Sequence, residues 1–328
     1  MRLAPPAWPG QNNVVTPPLN RRQFLAAATG AAAALGGCHA TAPTAAVPLL
    51  DTHTHFYDPG RPEGVPWPPK ANALLYRPVL PDEFARLTRP LGVAGTVVVE
   101  ASTREEDNQW VLDLAVPGSP ILGVVGHLKP GRPGFADHLA RYARQRLFRG
   151  IRAGTWEGPL RSDDAATLRD LRLLAEGGRS LDVNVSPPGL PSIAIIARAV
   201  PDLRIILNHC ANVRIDGQAP PAAWLAGLDA CAAERNVVMK VSGLVEGTGR
   251  TDGDAPADVD YYRPTLDAIW ERFGSDRVVF GSNWPVCTRF ASYATVLAIV
   301  RTYVEAKGAT AARAYFSGNA ARVYGVVG

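Results

Sequence analysis

The stretch Asp51-Thr52-His53-Thr54-His55-Phe56 carries the clearest capacity for chemistry in this chain. It follows an apolar run, Val47 to Leu50, and precedes a loop rich in Pro and Gly. That is the layout of a short buried strand running out into a site. Alternate residues of a strand share a face, so His53 and His55 point the same way, roughly 6–7 Å apart. Two imidazoles so placed can hold one metal ion or one polarised carbonyl. The plain alternative is two histidines satisfied by hydrogen bonds in a barrel mouth.

Eight short β-branched runs recur along the chain, at 47–56, 95–101, 120–127, 148–153, 180–185, 203–209, 237–242 and 277–283. Stretches with helical periodicity separate them, at Asp107–Val116, Phe135–Leu147, Ala165–Glu176, Ser192–Val200, Ala222–Arg235, Tyr261–Phe273 and Ala291–Lys307. An earlier one opens at Pro81 with Phe84, Leu87 and Leu91 apolar, and a last helix is expected over Thr310–Tyr324 with Thr310 as N-cap. Near-continuous apolar strands, each followed by a helix, predict a parallel sheet buried on both faces. Eight such units predict an α/β protein with a (β/α)8 (TIM) barrel over residues 47–328. No G-x-G-x-x-G follows the first strand, which argues against a doubly wound dinucleotide fold.

In such a barrel, catalytic groups stand at the C-terminal strand ends. Those ends carry His53 and His55, Glu100, His127, Arg152, Asn184, Asn208 and His209, Lys240 and Ser242, then Asn283 and Trp284. Glu100 terminates Val97-Val98-Val99 and reads as metal ligand, general base, or the partner of Arg152, Arg104 or Lys240. His127 reads equally as substrate contact or plain rim histidine. The Pro-rich loop from Tyr57 to Tyr76, with Trp67, is stiff enough to wall the site.

Formal charge is only +4, and no basic stripe interleaves with aromatics, so nucleic acid is not an expected partner. Residues 1–46 read as an address: Asn20-Arg21-Arg22-Gln23-Phe24-Leu25 resembles a twin-arginine export signal, and Leu35-Gly36-Gly37-Cys38 a lipoprotein processing site. The expectation is an exported, periplasmic protein, either anchored through a lipid on Cys38 or cut just beyond it and free. Cys210, Cys231 and Cys287 remain; a Cys210–Cys287 disulfide and buried free thiols are the two readings.

The strand-end stretches together resemble the amidohydrolase superfamily, in the amidohydrolase-2 branch that includes sugar-acid lactonases and pyrone dicarboxylate lactonases. The matching segments are Asp51-Thr52-His53-Thr54-His55, Gly150-Ile151-Arg152, Leu207-Asn208-His209, Lys240-Val241-Ser242-Gly243-Leu244 and Phe280-Gly281-Ser282-Asn283-Trp284-Pro285-Val286. The resemblance implies that His53, His55 and His209 are ligands of a divalent metal, zinc first among them, or in metal-free members polarising donors. Asp51, two residues before His53, is expected on the same face but deeper in the barrel; the resemblance implies that it orients His53, and that Arg152 and Lys240 meet a substrate carboxylate or oxyanion. Asn283 stands where lactonases of this branch carry aspartate, and Asn208 where relatives often do. An amide cannot act as a general base near neutral pH.

The leading expectation is hydrolysis of a small ester-like substrate, a lactone of a sugar acid or related carboxylate. His53, His55, His209, Asn283 and Glu100 would be catalytic; Arg152, Lys240, His127 and Trp284 would bind substrate. A metal-dependent decarboxylase on the same fold, or an exported binding protein with a degenerate site, are the alternatives.

Overall fold

The computed structural model describes residues 48–154 and 158–327. The expected export segment, with Arg21, Arg22 and Cys38, lies outside the described residues. Eight parallel strands run in chain order around one sheet: β1 (Leu49–Thr54), β2 (Val93–Val99), β3 (Ile121–Gly126), β4 (Phe148–Ala153), β5 (Ser180–Val183), β6 (Arg204–Leu207), β7 (Val237–Val241) and β8 (Val278–Phe280). The helices that follow them in turn are α1 (Pro81–Thr88), α2 (Glu106–Asp113), α3 (Phe135–Ala143), α4 (Ala165–Glu176), α5 (Leu190–Ala199), α6 (Ala222–Ala232), α7 (Val259–Phe273) and α8 (Tyr293–Glu305). The expected (β/α)8 barrel is therefore present. In α1 the buried face is Pro81, Phe84, Ala85 and Thr88, at helical spacing, and Leu87 is exposed rather than packed.

The barrel closes through the backbone of the site histidines. The Asn283 N–H donates to the His53 carbonyl at 2.8 Å, and the His55 N–H donates to the Trp284 carbonyl at 2.9 Å. Two side chains of β1 reinforce the seam: Asp51 Oδ1 accepts the Ser282 N–H at 2.9 Å, and the Thr52 hydroxyl donates to the Phe280 carbonyl at 2.5 Å.

A register slip in β1 decides where the histidines point. Asp51 lies opposite Thr96 of β2 and Thr54 opposite Val98, three steps against two. One extra residue reverses the alternation of faces. Leu50 packs inside the barrel with Val97, Val125, Ile206, Val238 and Val279. Asp51 instead points outward and accepts from the Tyr293 hydroxyl of α8 at 3.0 Å. Past the slip, His53 and His55 turn inward. The expectation that Asp51 shares the face of His53 is thus corrected: it takes the His53 backbone N–H at 3.1 Å and does not touch the ring. Gly281 makes room, since a Cβ there would stand 2.7 Å from the His53 Cβ.

The other end of the barrel is plugged by the C-terminus. The expected single helix is broken into α9 (Ala309–Arg313), a wide π turn (Ala314–Gly318) and α10 (Asn319–Tyr324), and it begins after Gly308 rather than at Thr310. Asn319 donates to the Ser275 and Val278 carbonyls at 2.8 Å each, pinning the turn beneath β8. Tyr324 then reaches Asp182 Oδ2 at 2.9 Å, where Lys240 Nζ also donates at 2.6 Å and Asn208 Nδ2 at 2.9 Å. Lys240 further donates to the Thr52 carbonyl at 2.7 Å and is wholly buried. This corrects the substrate-contact reading of Lys240: its ammonium is already satisfied inside the barrel.

After β6 the chain makes an unusual left-handed turn. His209, Cys210, Ala211 and Asn212 have φ of 54°, 51°, 53° and 50°. Each L-residue there costs roughly 1–2 kcal/mol. Four hydrogen bonds hold it: Asn212 Nδ2 to the Val185 carbonyl and to Asn184 Oδ1 (both 2.8 Å), Trp224 Nε1 to the Cys210 carbonyl (3.0 Å), and the His209 N–H to Ser242 Oγ (3.1 Å). Gly243 lets the turn sit close, because a Cβ there would lie 2.9 Å from the His209 Cβ. The three described cysteines are buried free thiols, so the Cys210–Cys287 disulfide is not formed.

Two stability outcomes follow. Ala211→Gly relieves a left-handed alanine, so it is expected to leave the melting temperature unchanged or raised. The control Ala226→Gly, on the exposed face of α6, should cost about 1 kcal/mol. Lys240→Met strands the Asp182 carboxylate in the core and should cost about 3–5 kcal/mol in denaturant unfolding.

Candidate active site

Three imidazoles supplied by distant parts of the chain converge at the C-terminal rim. The His53 ring lies 5.0 Å, centre to centre, from His55 and 4.4 Å from His209. His53 reaches this place through the β1 slip, and His209 through the left-handed turn. All three are buried or nearly so, and burial is the main cause that lowers their basicity. Mutual repulsion and the Arg152 and Lys240 charges add to it. His53 and His209 fall well below the ordinary histidine range and His55 falls to about 4. At neutral pH the cluster therefore presents uncharged rings.

Hydrogen bonds fix two of the tautomers. His209 Nδ1 faces the Ser242 hydroxyl at 3.0 Å, while its Nε2 accepts from the Arg152 guanidinium at 3.3 Å. His55 Nδ1 donates to the Val99 carbonyl at 2.9 Å, and its Nε2 meets Asn283 Oδ1 at 3.1 Å. Of these three, His53 keeps both ring nitrogens buried with no hydrogen-bond partner among the described residues. An unmet buried donor or acceptor costs roughly 1–3 kcal/mol, so this ring is poised to bind a polar group.

Arg152, on β4, is buried and stands 3.7 Å from Glu100. Burial lowers the basicity of its guanidinium, yet arginine stays charged, and Glu100 and Asp182 support that charge. Of the readings open for Glu100, the structure shows the ion pair with Arg152; Oε2 also takes the Ser102 N–H at 3.1 Å. His127 is buried on the neighbouring strand end, its backbone clamped by both ends of the Asn108 amide at 2.7 and 2.9 Å. The wall expected after β1 is present: the Trp67 ring lies 5.8 Å from His55 and 5.3 Å from Tyr57. Trp284 is not brought to the site. It is buried against Phe84 and Phe56 in the outer layer, at 5.5 and 6.1 Å, and serves the barrel seam through its carbonyl.

One residue of the site escaped the sequence. Glu246, in a short 3-10 turn after β7 (Glu246–Thr248), accepts from Asn283 Nδ2 at 2.8 Å, and burial raises its pKa to about 7. It is the first of four acids in the loop between β7 and α7, followed by Asp252, Asp254 and Asp258, and spacing alone does not single it out.

Three neutral imidazoles suit a divalent metal by chemistry but are not set for one by position. Among the described residues no three His, Cys, Asp or Glu side chains stand in a metal-holding arrangement. A guanidinium occupies the ring nitrogen that His209 would offer, and Asn283 supplies no negative charge. The arrangement is that of a dry, neutral pocket polarised by a fixed cation.

Comparison with known proteins agrees with this architecture. The sequence model of the family described as Amidohydrolase matches residues 50–326. The L-fucono-1,5-lactonase of Burkholderia ambifaria is 31% identical over 286 residues, spanning 84% of this chain and 94% of that protein. A crystal structure of an amidohydrolase from Burkholderia multivorans with bound zinc is 30% identical, with a TM-score of 0.76 over 85% of this chain and 100% of that one. A putative 2-pyrone-4,6-dicarboxylic acid hydrolase from Pseudomonas putida, at 22% identity and a TM-score of 0.67 over 85% of this chain and 98% of its own, shares the fold. With a family match across almost the whole barrel and the three histidines gathered at its catalytic rim, the chain belongs to the amidohydrolase family.

Proposed function

We propose that this protein hydrolyses the 1,5-lactone of a sugar acid, with L-fucono-1,5-lactone as the first substrate to test. The observation that carries the reading is the His53 ring. It is buried and unpartnered, lies between two oriented imidazoles, and shares its pocket with the Arg152 charge. The two curated relatives at 30% identity or more, covered over 94% and 95% of their length, are L-fucono-1,5-lactonases, which supports a sugar-acid lactone over a carboxylated ring as substrate.

The lactone carbonyl oxygen is placed against the Arg152 guanidinium, a permanent cation that needs no reorganisation as negative charge develops. Water attacks the carbonyl carbon, and a nitrogen of neutral His53 takes its proton. The tetrahedral oxyanion is held by Arg152. On collapse, the bond from the carbonyl carbon to the ring oxygen breaks, and His53 returns the proton to that oxygen. The product is the open-chain hydroxy acid. Burial keeps His53 a weak base before substrate binds; an anionic oxygen beside it strengthens it as the reaction proceeds. His209 is braced by Ser242 and touches Arg152, so it aims the guanidinium.

Arg152→Met removes the oxyanion cation and should lower kcat on L-fucono-1,5-lactone about 100- to 1000-fold, read by a pH-indicator assay of acid release. Absence of turnover by the unaltered protein across a panel of sugar 1,5-lactones would overturn the assignment. For metal, the purified mature protein is expected to hold well under one zinc per chain after exposure to excess zinc and gel filtration. Arg152→Met should raise that figure, because the guanidinium competes for the His209 nitrogen. Stoichiometric zinc in the unaltered protein would show that Arg152 withdraws instead.

A further inference from the structure

Arginines that no run of the sequence brings together meet at the end of the barrel opposite the histidines. Arg146, Arg149 and Arg179 stand where β4 and β5 begin, and Arg204 is the first residue of β6. Arg235 and Arg277 precede β7 and β8 in the same way, and Arg322 lies on α10 in the C-terminal plug. They are close enough to feel one another. Arg149 is repelled by Arg179 and Arg146, Arg179 by Arg204, and Arg277 by Arg235, in each case behind the larger effect of burial. Arg204, Arg235, Arg277 and Arg322 line one open hollow.

Part of this gathering is architectural. Barrel helices end at this face, and guanidiniums meet the last carbonyls: Arg179 donates to Ala143 at 2.7 Å and Arg277 to Ala232 at 3.0 Å, while Arg204 holds the plug through Val323 at 2.9 Å. Such bonds fill donors and leave the positive charge in place. The ion pairs at this end join Arg198 to Glu234 and Arg272 to Asp229, and among the described residues none of the gathered arginines forms one. Glu271 and Asp276 share the hollow, and Glu176 and Asp202 share a second one with Arg172, so cations outnumber carboxylates. Arg146 and Arg235 are exposed and make no hydrogen bond among the described residues. Capping does not account for them.

Two apolar side chains stand at the same end. Val327 and Val116 are the most exposed large apolar residues among those described, at 84% and 61%. Val116 lies in the turn that leads into β3, and Val327 follows the plug. The loops at the histidine end carry acidic runs instead: Glu105, Glu106 and Asp107 where α2 begins, and Asp252, Asp254 and Asp258 between β7 and α7. Pro48 is exposed and opens β1 at the arginine end, so the preceding chain joins the barrel there.

We propose that the strand-entry end of the barrel is a docking surface for an anionic phospholipid bilayer, with the arginines on lipid phosphates, Val116 and Val327 in the interface, and the three histidines facing away from the membrane. A guanidinium matches a phosphate through two parallel hydrogen bonds. Each basic residue near an anionic membrane surface strengthens binding about fivefold, and exposed apolar groups add to this as they enter the interface. The same surface repels the acidic loops at the histidine end, so it orients the barrel as well as holding it. A lipid on Cys38, ten residues before Pro48, would keep the barrel within roughly 35 Å of the bilayer, and the arginine face would decide which end rests on it.

The test is co-sedimentation of the full chain, without attached lipid, with vesicles of phosphatidylglycerol and phosphatidylcholine at about 30:70, in about 0.1 M salt. Pure phosphatidylcholine vesicles are the reference. Every protein compared carries the same residues 1–47, so differences report the barrel. Arg146→Gln with Arg235→Gln should lower partition onto the mixed vesicles at least about tenfold. Lys70→Gln with Arg132→Gln removes the same charge from exposed sites in the loops after β1 and β3, at the other end, and should lower it less than about twofold. Val116→Ser with Val327→Ser should lower it about threefold or more. Equal losses from the two charge pairs would reduce the effect to net charge and overturn the docking surface, as would no loss from the arginine pair. A loss in the arginine pair with none in the valine pair overturns seating on a bilayer in favour of single headgroups. Arginine-dependent retention on heparin with no binding to the mixed vesicles overturns the bilayer in favour of a soluble polyanion.

Discussion

One extra residue in the first strand underlies the site. With Leu50 directed into the barrel, a regular strand would send His53 outward into the helix layer. The slip between Asp51 and Thr54 reverses that, and the same backbone then supplies the hydrogen bonds that close the barrel onto β8. Catalytic placement and barrel closure are one feature. Asp51, turned outward, holds both sides of the seam by accepting from His53, Ser282 and Tyr293. Burial raises its pKa, partly countered by those donors, and the residue expected to orient the His53 ring instead holds the seam.

The two asparagines that stand where relatives carry aspartate share a physical explanation. Asn208 donates to Asp182 at 2.9 Å, and Asn283 donates to Glu246 at 2.8 Å. An aspartate at either position would set two carboxylates at hydrogen-bond distance in a buried place, where both cannot ionise together. The amides keep the shape and supply a donor, while the acid comes from another strand or loop. In the Asp182 case the charge is matched by Lys240 in the barrel interior. In the Glu246 case the charge has no such match. One acid is matched inside the barrel, and the other contacts Asn283 at the rim.

The electrostatics of the rim follow from dryness. Burial removes charge from the three imidazoles, and the cation that remains is Arg152, which cannot shed its proton. Its neighbours Glu100 and His209 fix its direction from two sides. Strain in the turn after β6 is the local cost of bringing His209 to that point. Irregular backbone of this kind is tolerated where surrounding hydrogen bonds over-determine it, and here Asn212, Trp224 and Ser242 supply them.

The barrel itself was legible in the chain, because alternating apolar runs and helical stretches are local properties with a fixed period. So was the set of strand-end groups from which the site is drawn: His53, His55, Arg152, His209 and Asn283 all stand at the rim, where the three imidazoles converge. Tertiary structure decided the rest. A one-residue slip has no sequence signature, so the regular alternation that sets Asp51 on the face of His53 fails there. Whether a long side chain at a strand end rises or sinks depends on what lies beneath it, and Asp182 with Tyr324 drew Lys240 down. Trp284 went to the outer layer because Phe56 and Phe84 offered it an apolar seat. Glu246 belongs to a loop with no motif of its own, and only the closure of the barrel carries that loop against Asn283.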